Sequence, residues 1–139
     1  MGYITRAKIS EKNPYWIEKH RHYELKHFCL QYPIWKATYS SLSGLIGRPD
    51  ALEAFGKTRN TSDPTQRIAL LKNYYSSRMQ LVEDAAEQAD PSLAKYILAG
   101  VTEGWSYDIL KARLNIPCCK DVYYITYRRF FWILNKLRD

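Results

Sequence analysis

Three histidines, three cysteines and a scatter of carboxylates are the residues of this chain able to do covalent or metal chemistry. Their spacing argues against both. His20, Glu24 and His27 share one helical stripe, but a metal site needs three or four converging ligands and Cys29 falls off that stripe. Ordinary surface histidines account for the pattern, which matches neither H-E-x-x-H nor a nucleophile–base pair. Cys118 and Cys119 are adjacent, the cysteine count is odd and there is no C-x-x-C pair. That is neither a secreted disulfide framework nor a zinc knuckle, and reduced cytosolic thiols are expected. Near a helix start the two thiols are open to a lowered pKa, although a structural role in a turn is the better reading. Asp63 and Asp90 each precede a proline and are better placed as helix caps than as catalytic acids. Gly56-Lys57-Thr58 invites a phosphate-loop reading, but the motif needs an earlier glycine where Ala51 stands. No catalytic set assembles, so no enzyme, metal or cofactor is expected.

What remains is electrostatic and aromatic chemistry. The 139 residues hold 21 Lys and Arg against 14 Asp and Glu, a net charge of +7. A basic domain this small suits a polyanionic partner, and simple solubility is the bland alternative. The charge is uneven. Residues 81–103 carry Glu83, Asp84, Glu87, Asp90 and Glu103 against Lys95 alone. Residues 106–139 carry Lys111, Arg113, Lys120, Arg128, Arg129, Lys136 and Arg138 against Asp108, Asp121 and Asp139. The twelve tyrosines can stack on exposed bases, but they fit the edge of a core with a wet hydroxyl better. No run approaches a membrane span and the first residues lack the apolar segment of a secretory signal. A soluble cytoplasmic protein away from the membrane is the expectation.

The elements that must position these residues read as helices. Asn13-Pro14 pairs a good N-cap with a proline, predicting a helix through Trp16, His20, Tyr23, His27 and Leu30 that Pro33 ends or kinks. The helical pattern resumes through Trp35, Tyr39 and Leu42 and breaks at Gly44, Gly47 and Pro49; residues 56–63 read as a polar loop. Asp63-Pro64-Thr65-Gln66 starts a long central helix, in which Ile68, Leu71, Tyr75, Met79, Val82 and Ala86 recur at steps of three and four, to about Ala89. Asp90-Pro91 repeats the device for a shorter helix whose end Gly100 and Gly104 bracket. No alternating β pattern or internal repeat is present. The fold class expected is all-α, a helical bundle in one compact domain. Its parts are a segment 1–60, central helices 61–104 and a C-terminal pair 105–139.

In that pair, Ser106 opens a helix to Leu114, Asn115-Ile116-Pro117 makes a short turn, and Cys118 or Cys119 opens a longer helix to about Leu137. Leu110, Leu114, Ile116 and Val122 are expected to close the small core between them. Two helices on a short turn, the second basic at its start, is the helix-turn-helix arrangement. An αα-hairpin of an ordinary bundle stays open as the alternative. The second helix is apolar nearly all round, so either the N-terminal helices pack over it or it self-associates into a homo-oligomer.

The run TEGWSYDILKARLNIPCCKDVYYITYRRFFWILNKL, residues 102–137, resembles the C-terminal region of the RinA-type phage late-transcription activators. That region in turn looks like the helix-turn-helix of sigma-factor region 4. The resemblance covers about a quarter of the chain closely. It implies a phage or prophage regulator that binds double-stranded promoter DNA and acts with host RNA polymerase in the bacterial cytoplasm. By position it puts Cys119, Lys120, Asp121, Tyr123, Tyr124, Tyr127 and Arg128 on the groove-facing part of the second helix. Lys120, Arg128 and Arg129 are candidates for phosphates or guanine edges, and Lys111 and Arg113 for phosphate anchors. A different class stays open: a small helical phage protein that binds and inhibits or remodels a host nucleic-acid-processing or defence complex.

Overall fold

The computed structural model describes residues 12–46 and 63–138. Among them every regular element is an α-helix: α1 Lys19–Leu30, α2 Tyr32–Ile46, α3 Pro64–Ala89, α4 Ala94–Glu103, α5 Tyr107–Leu114 and α6 Lys120–Arg138. The polar loop expected at 56–63 lies outside the described residues except for Asp63. The chain divides into two units. One joins Met1–Gln31 to Leu81–Asp139, the other is Tyr32–Gln80, and α3 runs through both.

The proline devices behave differently from one another. At Asp63-Pro64 the expectation holds: α3 begins at Pro64, and the Asp63 carboxylate accepts the Thr65 N–H at 3.2 Å. At Asn13-Pro14 it does not. The Asn13 side chain accepts from Tyr15 N–H at 2.8 Å and its carbonyl from Trp16 N–H at 3.0 Å, which closes a turn. The helix starts at Lys19 instead, where the Glu18 carboxylate accepts the N–H groups of His20 and Arg21. Pro33 neither ends nor kinks a helix. The break falls at Gln31, and Pro33 sits in the first turn of α2, where a missing N–H costs nothing. At Asp90-Pro91 the carboxylate binds the N–H and hydroxyl of Ser92, at 2.9 and 2.7 Å. The result is a turn, and α4 begins at Ala94, with Leu93 rather than Asp90 as its N-cap.

In the first unit α4 packs against α1, α5 and α6, and α1 packs against α6. So the apolar last helix is covered from within its own chain. Arg21 Nε donates to Asn135 Oδ1 at 2.6 Å, and the Arg138 guanidinium lies 4.0 Å from the Phe28 ring centre. Leu25, Ile97, Leu110, Ile116, Phe130 and Leu134 are wholly buried here. Gly104 ends α4 in the left-handed region, φ 72°, as a C-cap that glycine adopts without steric cost. Gly100 marks no helix end. It lies buried inside α4, where a Cβ would collide with Tyr123 Oη, so its lack of a side chain lets α6 approach.

In the second unit Trp35 and Leu42 of α2 and Ile68 of α3 are buried. Cations stack on its rings: Arg78 lies 4.4 Å from Tyr74 and 5.9 Å from Trp35, and Lys72 lies 4.9 Å from Tyr39.

Candidate nucleic-acid interface

The α5–α6 pair is built from short-range bonds that a sequence pattern does not reveal. Ser106 is the N-cap of α5, its hydroxyl accepting from Ile109 N–H at 3.4 Å. Asn115, at φ 51°, is its left-handed C-cap and donates to the Lys111 carbonyl at 3.1 Å. Residues 115–119 connect the two helices, a link one residue longer than the three-to-four-residue turn expected. Three contacts brace it. Tyr107 Oη donates to the Cys118 carbonyl at 2.6 Å, Lys111 Nζ donates to the Ile116 carbonyl at 3.3 Å, and the Ile116 side chain is wholly buried. Tyr107 N–H donates to Tyr124 Oη at 3.1 Å, tying the start of α5 to α6. These contacts tie the link and the start of α6 to α5.

The inner side of α6 is an aromatic ladder. Ring centres lie 4.8 Å apart for Tyr123–Tyr124, 5.8 Å for Tyr124–Tyr127, and 4.9 Å for both Tyr127–Phe131 and Phe130–Phe131. Tyr123 is fully buried and Tyr124 nearly so. Both leave the set of groove-facing residues, because a side chain enclosed by the core has no face to offer DNA. They do the work expected of Leu114 and Val122, which are exposed while Leu110 and Ile116 are enclosed. Burial follows from the turn: with Tyr107 bonded to Tyr124 Oη, this side of α6 must face α5 and α4.

The remaining candidates divide by exposure. Lys111, Arg113, Cys119, Lys120, Asp121 and Arg129 are exposed, and Tyr127 and Arg128 are half-buried. Arg113 stacks 5.0 Å from the Trp105 ring centre, which keeps its guanidinium on the outer side of α5. Asp121, Ile125 and Arg129 are all exposed and follow one another at four-residue steps, so they form the outward stripe of α6, with Val122 beside it. Sequence reasoning passed over Val122 and Ile125 as surface residues. The available signal was the spacing: Ile125 stands four residues from both Asp121 and Arg129, and Val122 three before Ile125 and seven before Arg129.

Two of the thiols, Cys118 and Cys29, are pushed away from the thiolate. Burial first, then Cys119 and Asp90, push the Cys118 thiol up, with Lys111 opposing. Burial pushes the Cys29 thiol far up, with Arg138 opposing. Asp90, bonded to Ser92 and near Arg129, is held below the usual carboxylate range. His20 and His27 are exposed and Glu24 pairs with Arg21. Among the described residues no three His, Cys, Asp or Glu side chains are grouped to hold a metal ion, and no helix is long and apolar enough to cross a membrane. A histidine that the sequence did not single out has the most altered setting. His22 is half-buried against Tyr127 and Phe131, at 6.5 and 4.9 Å, and burial, then Lys26, lowers its pKa.

No protein-family model matches the chain, no curated protein matches it, and no solved structure matches it.

Proposed function

We propose that this chain is a DNA-binding transcription regulator of the phage late-gene activator type, acting with host RNA polymerase. The observation that carries the reading is the set of exposed cations on the two helices of the braced pair: Lys111, at the link itself, and Arg113 on α5, with Lys120 and Arg129 on α6, on a chain of net charge +7. A braced link presenting the first turns of a helix, with cations on both helices, suits a major groove flanked by phosphates. Lys111 and Arg113 would anchor the backbone, while the start of α6 faces the bases. The polymerase partner is supported by the likeness of residues 102–137 to the activator family.

Duplex binding should weaken steeply as salt rises, since each neutralised phosphate releases counterions. Lys120→Ala should flatten the salt slope by about one. Arg138→Ala should leave it unchanged, because Arg138 stacks on Phe28 at the far end of α6. Absence of duplex binding at low salt would overturn the reading. The exposed aliphatics Ile109 and Leu114 on α5 favour a second reading, a module docking on a host protein complex. A pull-down after nuclease treatment separates the two: RNA polymerase as main partner fits the activator, and another nuclease-resistant complex fits the module.

A further inference from the structure

The outward face of α6 carries two β-branched residues that the core does not enclose. Val122 is 43% and Ile125 53% exposed, in the first two turns of the helix. β-Branched side chains are poorer helix formers than the Lys, Glu or Ala usual on a solvated face, because they lose χ1 freedom against the preceding turn. Here only about half of each is buried in return. They stand beside Asp121 on one side of the helix start, with Lys120 before them and Arg129 one turn beyond Ile125, all exposed.

We infer that Val122 and Ile125 read thymine in duplex DNA by packing against its 5-methyl group. The inference rests on the DNA-binding reading above and adds to it the base that is recognised. In the major groove the only apolar feature among the base edges is that methyl, and short aliphatic side chains are what touch it. The charge around the pair fits this occupant. Lys111, bonded to the link at Ile116, and Lys120 put two cations at the helix start, and Arg129 adds a third further along the same exposed stripe, charge that a polyanion neutralises. Asp121 in the same turn is repelled by phosphate, which favours a position over the bases, where amino groups can donate to it. The aromatic side of α6 cannot take this role, since Tyr123 and Tyr124 are enclosed.

The test begins with duplexes selected by the full-length protein from a randomised pool. Selected duplexes are then made with thymine or with deoxyuridine, which pairs identically but lacks the methyl. Wild-type protein should bind the deoxyuridine form more weakly, about fourfold for each contacted methyl, the worth of one buried CH₂. Ile125→Ala and Val122→Ala should each reduce that discrimination and the double variant should abolish it, while Lys120→Ala weakens both duplexes equally. Both positions are exposed, and circular dichroism checks that the variants stay helical. Equal binding of the two duplexes by wild type overturns the inference and leaves DNA binding standing. Discrimination that survives in the double variant does the same. Failure to bind any duplex at low salt overturns the DNA-binding reading, and the inference with it.

Discussion

The apolar residues on the two sides of α6 have opposite fates. On the inner side Tyr123, Tyr124, Phe130, Phe131 and Leu134 are enclosed; on the outer side Val122 and Ile125 stand in solvent. Hydrophobicity does not separate them, because valine and isoleucine rank among the most often buried residues. What separates them is the reach of the bonds at the α5–α6 link. Tyr107 N–H finds Tyr124 Oη, Gly100 makes room for Tyr123, and these two contacts select which 180° of the helix faces the core. On the other half Val122, Ile125 and Arg129 are exposed, and Arg128, Trp132 and Asn135 are half-buried. Aromatic content is therefore a poor guide to a nucleic-acid surface in this chain, and position relative to the braced link is a good one.

The largest effect that tests this contrast lies on the inner side. Phe131 is almost fully buried and meets Tyr127, Phe130 and His22. Phe131→Ala should cost about 3–5 kcal/mol of unfolding free energy through lost transfer and a residual cavity, measured by chemical denaturation. A loss well below that range would mean that the inner side is loosely packed and the division between faces is weak.

Next in size is Gly100→Ala. The new methyl collides with Tyr123 Oη, an overpacking strain of about 1–3 kcal/mol. The contact is specific, so Tyr123→Phe should rescue part of the loss in the double variant, and a double-mutant cycle measures the coupling. Purely additive losses would mean that the hydroxyl does not set how closely α4 and α6 approach.

A smaller, pH-dependent effect follows from His22. Its pKa is lowered in the folded protein by burial first, with Lys26 beside it, from an ordinary value of 6.5. As pH falls through 6.5 the unfolded chain takes up a proton that the folded chain does not, so stability is lost toward acid. The thermal midpoint of the wild type should therefore drop more between pH about 7.5 and about 5.5 than that of His22→Gln. Identical pH slopes would show that the α1–α6 contact does not shield the imidazole.

The smallest effect belongs to the outer side. Val122→Ala and Ile125→Ala should change stability by no more than about 0.5 kcal/mol, with a slight gain possible from better helix propensity. A loss approaching that of Phe131→Ala would erase the distinction between the faces.

How much of this was legible in the sequence depends on the range of the forces involved. Asp63-Pro64 announced α3, Ser106 announced α5, and the three-to-four spacing announced helices throughout, because caps, proline and hydrophobic period act within one or two turns. The same local code misled at Asn13-Pro14 and Asp90-Pro91. An aspartate or asparagine before proline serves a turn as readily as a helix, and residues beyond the motif decide between them. The basic end of the chain and its cations at Lys111, Arg113, Lys120 and Arg129 were also readable, since charge is a property of composition. Which side of α6 they share was not. Tyr123, Tyr124, Val122 and Ile125 are neighbours in sequence, all apolar enough for a core. Only the hydrogen bond from Tyr107, 17 residues away, and the bare backbone of Gly100 decide which of them the core encloses. Such contacts arise when separate helices meet, and they span more chain than the one or two turns over which caps, proline and hydrophobic period act.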